Sequence, residues 1–404
     1  MREVRQSLKL NDVCYDIRGP VMAEAMRRES QGHEILKLNI GNPAPFGFEA
    51  PRHVREAVAQ ALSSAEGYSD SRGIAQTREA VVAHYQARGV PGVHADLVFL
   101  GNGVSELIVM TLQALLNAGD EVLVPAPDYP LWTAAISLAG GTPVHYLCDE
   151  SQEWQPDLED VRAKVTPQTK ALVIINPNNP TGAVYSEATL QGLLRIAREH
   201  HLVVFSDEIY DAIVYDDAVH HHTASLAPDL LCLTFNGLSK TFRLAGYRAG
   251  WLVITGPTHR AQDYLEGLSV LANMRLCANV PAQHAVTAAL TGPDSIAELV
   301  RADGRFAAQA QVAHSILTSV EGISCVRPRG ALYVFPRLDP EVFPCFDDEQ
   351  RVLDILRATD VLLVQGTGFN WPRHDHLRIV TLPSVEVLRE ALHRVTEYLL
   401  TTKV

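Results

Sequence analysis

Between residues 97 and 254 the chain alternates short runs of Val, Ile and Leu with longer stretches whose apolar residues recur every three or four positions. The short runs at 97–100, 121–124, 143–147, 171–176, 202–207, 230–235 and 250–254 predict strands. The longer stretches at 105–116, at 186–200 and after 258 predict helices. Continuous apolar runs, unlike alternating ones, mark strands covered on both faces. Such β–α alternation predicts an α/β fold with a mostly parallel seven-stranded sheet and helices on both sides.

Beyond residue 291 the pattern changes. Strands expected at 323–326, 331–335, 361–364 and 377–381 are punctuated by Gly and Pro and flanked by helices at 348–358 and 384–400. That reads as a smaller α+β domain, joined by the extended segment 35–40. The expected organisation is an N-terminal arm and small-domain segment over 1–45, a large domain over 46–290 and the rest of the small domain over 291–404. The break falls at Thr291-Gly-Pro-Asp.

Composition narrows the partners. The 404 residues are 47% hydrophobic and 20% charged, with a formal net charge of −13. An acidic balance argues against a general nucleic-acid surface, although a few arginines can still dominate one cleft. The six cysteines form no Cys-x-x-Cys pair, and several lie in apolar runs, so core thiols in a reducing compartment are expected. No apolar run reaches membrane-spanning length, and the first residues lack the apolar core of a signal peptide. The expectation is a cytoplasmic protein with neither membrane nor nucleic acid as partner.

The candidate chemistry gathers at strand ends, where open α/β sheets bind ligands. After the run ending at Phe235 comes Asn236-Gly-Leu-Ser-Lys240, with Arg248 eight residues further on. A lysine there is commonly a solvated charge. Paired with a second cation, it suits a cofactor with an aldehyde that forms a Schiff base and a phosphate that takes a guanidinium, as pyridoxal phosphate has. Asp207 ends another strand, with Tyr210 expected one helical turn on. A buried carboxylate keeps a pyridine nitrogen protonated, while an equally good reading is a helix N-cap. Asn176-Pro-Asn-Asn179-Pro-Thr-Gly182 reads either as an elaborate turn or as a rigid mount for one amide. Leu100-Gly-Asn-Gly103-Val104-Ser105 offers an anion site at a helix start. Arg378, on an apolar strand, is either an internal ion pair or a fork for a carboxylate. His220-His-His222 reads as a solvated loop, because three consecutive residues do not converge from a regular element. Asp216 and Asp217 are likewise read as surface.

Taken in order, these motifs resemble the class I aminotransferases of fold type I, which depend on pyridoxal phosphate. The likeness runs from Leu38-Asn-Ile-Gly41-Asn-Pro to Arg378. Segments at Arg18-Gly-Pro, at Asn42-Pro-Ala-Pro-Phe-Gly-Phe, from Pro127 through Tyr129 to Ala135, and at Phe369-Asn-Trp-Pro are similar to those of members that exchange amino groups between alanine/pyruvate and glutamate/2-oxoglutarate. The resemblance implies Lys240 as Schiff-base lysine and proton shuttle, and Asp207 on the ring nitrogen. It implies Tyr210 and Asn179 at the ring hydroxyl, and Tyr129 stacked on the ring. Gly103, Val104, Ser105, Ser239 and Arg248 would hold the phosphate, with Ser239 substituting for a hydroxyl that many relatives carry where this chain has Gly237. Gly41, Asn179 and Arg378 would contact the substrate carboxylate. Arg18 is the first candidate for a glutamate side chain and Arg275 the second. Tyr68 would reach the phosphate of a neighbouring subunit, which implies a homodimer with shared sites.

Three alternatives stay open. An aminotransferase specific for aspartate, valine or aromatic acids, or a carbon–sulfur β-lyase, could use the same scaffold. An idle effector-binding module of a transcription regulator would need an appended DNA-binding domain, and no basic helix-turn-helix pattern is present.

Overall fold

A computed structural model describes residues 3–10, 13 and 19–403. The chain forms a two-residue strand β1 (Leu36–Lys37), then β2 (Val98–Gly101), β3 (Glu121–Ala126), β4 (Thr142–Asp149), β5 (Gln155–Pro156), β6 (Thr169–Ile175), β7 (Val203–Asp207), β8 (Cys232–Gly237) and β9 (Gly250–Thr255). The strands β2 to β9 make one sheet in the order β2-β9-β8-β7-β6-β3-β4-β5. All seven expected strands lie in it, each near its anticipated range. β5 is an addition: two residues paired antiparallel to the end of β4, too short to show a period. β9 runs antiparallel to both neighbours, β2 and β8, while the centre is parallel.

Alternation along the central strands builds a core on each face. Leu172 and Ile174 of β6 join Leu193, Ile196 and Val204 on one side. Ala171, Val173 and Ile175 join Phe205, Phe235 and Trp132 on the other. The helix Glu187–Glu199 covers the first side. Ser186 caps it by accepting from the Thr189 amide, and Leu190, Leu193 and Ile196 are buried. The helix Val104–Leu115 covers the second side with Leu107, Ile108 and Leu112.

A further core forms from both ends of the chain. Val21, Ala25 and Leu38 pack with Ile355, Leu362, Ile379 and Leu392. Here lie β10 (Ile323–Ser324), β11 (Tyr333–Val334), β12 (Arg337–Leu338), β13 (Val361–Leu362), β14 (Val364–Gln365) and β15 (Leu377–Val380). β1 pairs parallel with β13, and the Val380 amide donates to Leu38 O at 2.9 Å. The extended segment 35–40 is therefore part of this core, as expected.

The strands here are shorter than the apolar runs suggest, because the chain changes partners within them. The run 361–364 splits at Leu363, β13 pairing with β1 and β14 with β15. In 331–335, Ala331 adopts φ +57° and donates to Ile213 O, outside the ladder. No helix among the described residues is long and apolar enough to cross a membrane. Of the cysteines, Cys148, Cys232, Cys277, Cys325 and Cys345 are free thiols, and Cys14 lies outside the described residues.

Ile355 is fully enclosed where the two chain ends meet. Ile355→Ala should cost about 2–5 kcal/mol through lost burial and the cavity left behind, seen as a lower denaturation midpoint in urea with an unchanged native far-UV spectrum.

Candidate active site

Parallel strands bring their carboxyl ends to one edge of the sheet, where the next helix starts and turn amides are not consumed by the ladder. A cavity of about 310 Å³ opens at that edge. The sheet supplies Val104 and Ser105 after β2, Asn179 after β6, Asp207 at the end of β7, and Ser239, Lys240 and Arg248 after β8. The segment after β1, with strands β11 and β15, supplies Asn39, Gly41, Tyr333 and Arg378. Tyr129 also lines it.

Asp207 is only 3% exposed. Its carboxylate accepts the Trp132 indole N–H at 3.1 Å and the Ile209 amide at 3.3 Å. Burial pushes the carboxyl up to about 6, against the pull of these two hydrogen bonds. The backbone beyond it is not a helix. Asp211 N reaches Glu208 O and Ile213 N reaches Tyr210 O, two tight turns that aim Tyr210 into the cavity. The Tyr210 hydroxyl lies 2.6 Å from that of Tyr333, and burial pushes its phenol well above the usual tyrosine range, so it stays protonated.

Lys240 donates from Nζ to Gly41 O at 2.6 Å and sits 5.8 Å from the Tyr210 ring centre. Its neighbour three residues back, Gly237, is on β8 hard against β9. A Cβ there would lie 2.7 Å from Ala249 O and 3.0 Å from Gly250 Cα, so this sheet has no room for the hydroxyl side chain that many relatives carry.

The anion cradle is built from a glycine and an arginine. Gly103 has φ +84°, and a Cβ on it would sit 2.3 Å from Arg248 Nη2. Arg248 in turn donates to Ala245 O at 3.0 Å and Asn102 O at 3.4 Å, which holds its guanidinium beside the start of the helix Val104–Leu115. Backbone N–H groups at a helix start, with a guanidinium alongside, fit a phosphate.

Arg378, on β15, is 7% exposed. It donates to the Asn39 carbonyl and to Asn179 Oδ1, the latter at 3.3 Å. Its guanidinium carbon lies 4.7 Å from the Tyr333 ring centre and 4.5 Å from that of Phe369. These contacts hold the guanidinium at the cavity wall, where it is one of the lining residues.

Several expectations change. Arg275 is ion-paired with Glu106 and donates to Leu100 O at 2.6 Å and Ser71 O at 3.1 Å, so it clamps the cradle turn and does not face a distal carboxylate. Arg18 lies outside the described residues. Tyr68 is 81% exposed and does not line the cavity of its own chain. His220 and His222 are not solvated: their side chains are 6% and 12% exposed and both face the fully buried Glu208. The segment is extended at His222, so residues two apart share a side. Asp216 and Asp217 are exposed, as expected. Trp132 and Tyr333 were not anticipated, since both sit in apolar runs that read as core. Trp132 had one weak signal, its place three residues after Tyr129 in a helix.

The family model for aminotransferase class I and II matches residues 33–395. The chain is 58% identical over 399 residues to the glutamate-pyruvate aminotransferase AlaA of Escherichia coli K12, covering 99% of this chain and 98% of that one. It is 61% identical over 399 residues to an alanine aminotransferase of Mycobacterium bovis, covering 98% and 93%. A crystal structure of an aminotransferase from Escherichia coli superposes with a TM-score of 0.97 at 58% identity, covering 98% of each chain. A double mutant of the aspartate aminotransferase of Thermus thermophilus does so at 0.87 and 30%, covering 98% of this chain and 100% of that one. Enzymes of this family depend on pyridoxal phosphate. The donor set fits that group: a buried carboxylate short of positive charge, a lysine amine in the cavity, and the Gly103–Arg248 cradle for its phosphate. The chain belongs to the class I and II aminotransferases.

Proposed function

We propose that the enzyme moves an amino group between L-alanine/pyruvate and L-glutamate/2-oxoglutarate by ping-pong transamination, in the service of alanine biosynthesis. Identities of 58% and 61% over nearly the whole chain to enzymes bearing those substrate names carry this reading.

When bound, pyridoxal phosphate supplies an aldehyde that takes up an amine and a protonated ring that accepts electrons from a breaking Cα–H bond. The protein's part is binding and proton transfer. Arg378 takes the substrate α-carboxylate, with the Asn179 amide and the Gly41 backbone beside it. The Lys240 amine, held in the cavity by the Gly41 carbonyl, would serve as the base for the substrate Cα proton and as the group that carries that proton between the two half-reactions. Asp207 would hold the ring nitrogen in its protonated form, and Tyr210 and Asn179 would offer hydrogen bonds to the ring hydroxyl. Tyr129 covers the ring face. Gly103, Val104, Ser105, Ser239 and Arg248 hold the phosphate.

The core of Val21, Ala25 and Leu38 with Ile355, Ile379 and Leu392 supports a small domain made of 1–45 with 291–404 beside a large domain over 46–290, the two packed together where Phe335, Phe369 and Trp371 join the core of the sheet. Since Lys240 and Arg378 come from different domains, substrate draws them together. Exposed Tyr68 fits a role in the site of a second copy, and we place the enzyme as a homodimer. Its five described free thiols fit the reducing cytoplasm. Arg18 is the residue proposed for the glutamate side chain.

Turnover of alanine with 2-oxoglutarate should exceed turnover of aspartate, valine or tyrosine as donors. Pyruvate release from cysteine without an oxo acid, at a comparable rate, would instead identify a β-lyase. Lys240→Ala should lower kcat by at least about 10⁴-fold, and borohydride should no longer fix the cofactor to the chain.

Asp207 also gives a pH dependence in the cofactor-free protein. Its folded value, about 6, lies above the ordinary carboxyl value of 3.8. A raised acid contributes stability that is complete below pH 3.8 and is lost as pH rises through 6. Asp207→Asn should therefore gain stability relative to the parent apoprotein between pH 4 and 7, by on the order of 3 kcal/mol. Urea titrations at both ends of that range would reveal it, and bound cofactor should remove the effect.

A further inference from the structure

Behind the cofactor edge, Glu208 points away from Asp207 into a pocket closed by the segment that precedes the short helix Thr223–Leu226. One carboxylate oxygen is fully engaged: Oε1 accepts the Ser206 hydroxyl at 2.9 Å and the Thr223 amide at 3.0 Å. The other, Oε2, faces two imidazoles, His222 Nδ1 at 2.6 Å and His220 Nε2 at 3.4 Å. The three ligand atoms all lie within 4.8 Å of one another.

Hydrogen bonding alone leaves this cluster incomplete. A single oxygen serves two rings: His222 has a short contact and His220 a long one, at the edge of hydrogen-bond range. Two imidazole lone pairs and one carboxylate oxygen converging from a rigid support are the donor set of zinc and its neighbours. Tetrahedral ligands about 2.1 Å from zinc stand about 3.4 Å apart, so the His220–Glu208 pair is at that spacing and His222 would have to back away by less than 1 Å. The support also suits a metal: Ser206 donates to Glu208 and is itself 2.8 Å from the Thr223 hydroxyl, the kind of outer contact that orients a ligating carboxylate. Asp211 adds negative charge near His222, and Arg88 opposes it.

We propose that Glu208, His220 and His222 form a binding site for a divalent transition metal of the zinc type, leaving a fourth position for water. An ion there would fasten the loop carrying His220 to the residue next to Asp207, stiffening the turn that presents Asp207 and Tyr210.

The test is titration of the dialysed holoenzyme with zinc chloride by calorimetry, with cobalt(II) chloride in parallel for its ligand-field absorption. The expected result is one equivalent per chain, a zinc-dependent rise in melting temperature, and binding at least about ten-fold weaker in His222→Ser and in His220→Ala. The two histidine variants matter because Glu208→Gln removes a fully buried charge and can fail to fold. Less than one equivalent on the parent, or zinc bound as tightly by a folded His222→Ser, overturns the site and leaves the cluster an ion pair.

Discussion

Burying Asp207 at the last residue of β7 imposes a demand that the rest of the cavity answers. A carboxylate taken out of water loses solvation that two neutral donors, the Trp132 indole and the Ile209 amide, only partly replace. The result is an acid held near neutrality, with its charged form under-compensated. In the proposed role a pyridinium nitrogen would supply the missing charge, so the energy that folding spends on this residue would return when the cofactor binds. A carboxylate at the same place in water would bind the ring weakly and would not hold its proton. The surrounding aromatic wall of Trp132, Phe205 and Phe235 is therefore part of the chemistry as well as part of the core.

The cavity is completed across two cores. The lysine amine rests on the Gly41 carbonyl, which follows β1, and β1 belongs to the ladder with β13. The Asn39 carbonyl, two residues earlier, accepts from Arg378 on β15. The segment just after β1 thus touches the Lys240 amine and the Arg378 guanidinium at once. A shift of the small core relative to the sheet must move Gly41 away from Lys240 and Arg378 away from Asn179 together. In the proposed binding mode, substrate bridging Arg378 and the lysine side would resist that shift, which is the physical basis of the proposed closure.

Most of this was legible in the chain because parallel sheets write plainly. Buried strands appear as unbroken apolar runs, and the residues just after them must do something other than pair, which singled out Gly103, Asn179, Asp207 and Lys240. What could not be read was geometry set by packing. Trp132 and Tyr333 look like core in sequence and are core, yet each also presents a polar tip to the site. Tyr210 was placed by two turns where periodicity suggested a helix. Arg275 and Arg248 look alike in sequence, but Arg275 meets Glu106 and Leu100 O while Arg248 donates to Ala245 O and Asn102 O. The paired histidines were missed for a related reason: extended backbone sends alternate residues to one side, so two of three can converge where three cannot.

The last point concerns charge. The chain as a whole carries −13, and an acidic protein repels the anionic amino and oxo acids this family handles. The cavity inverts that field locally, with Lys240, Arg248 and Arg378 against the single carboxylate of Asp207 among its charged lining residues. On the proposed roles, Arg248 serves the phosphate and Asp207 the ring, and Arg378 is the lining cation assigned to the substrate carboxylate. Because that guanidinium is 7% exposed and leans on two aromatic rings, its attraction is not diluted by bulk water. Added salt should screen the outer surface far more than this contact, so recognition of the carboxylate rests on a short-range, desolvated pair and does not need a favourable overall field.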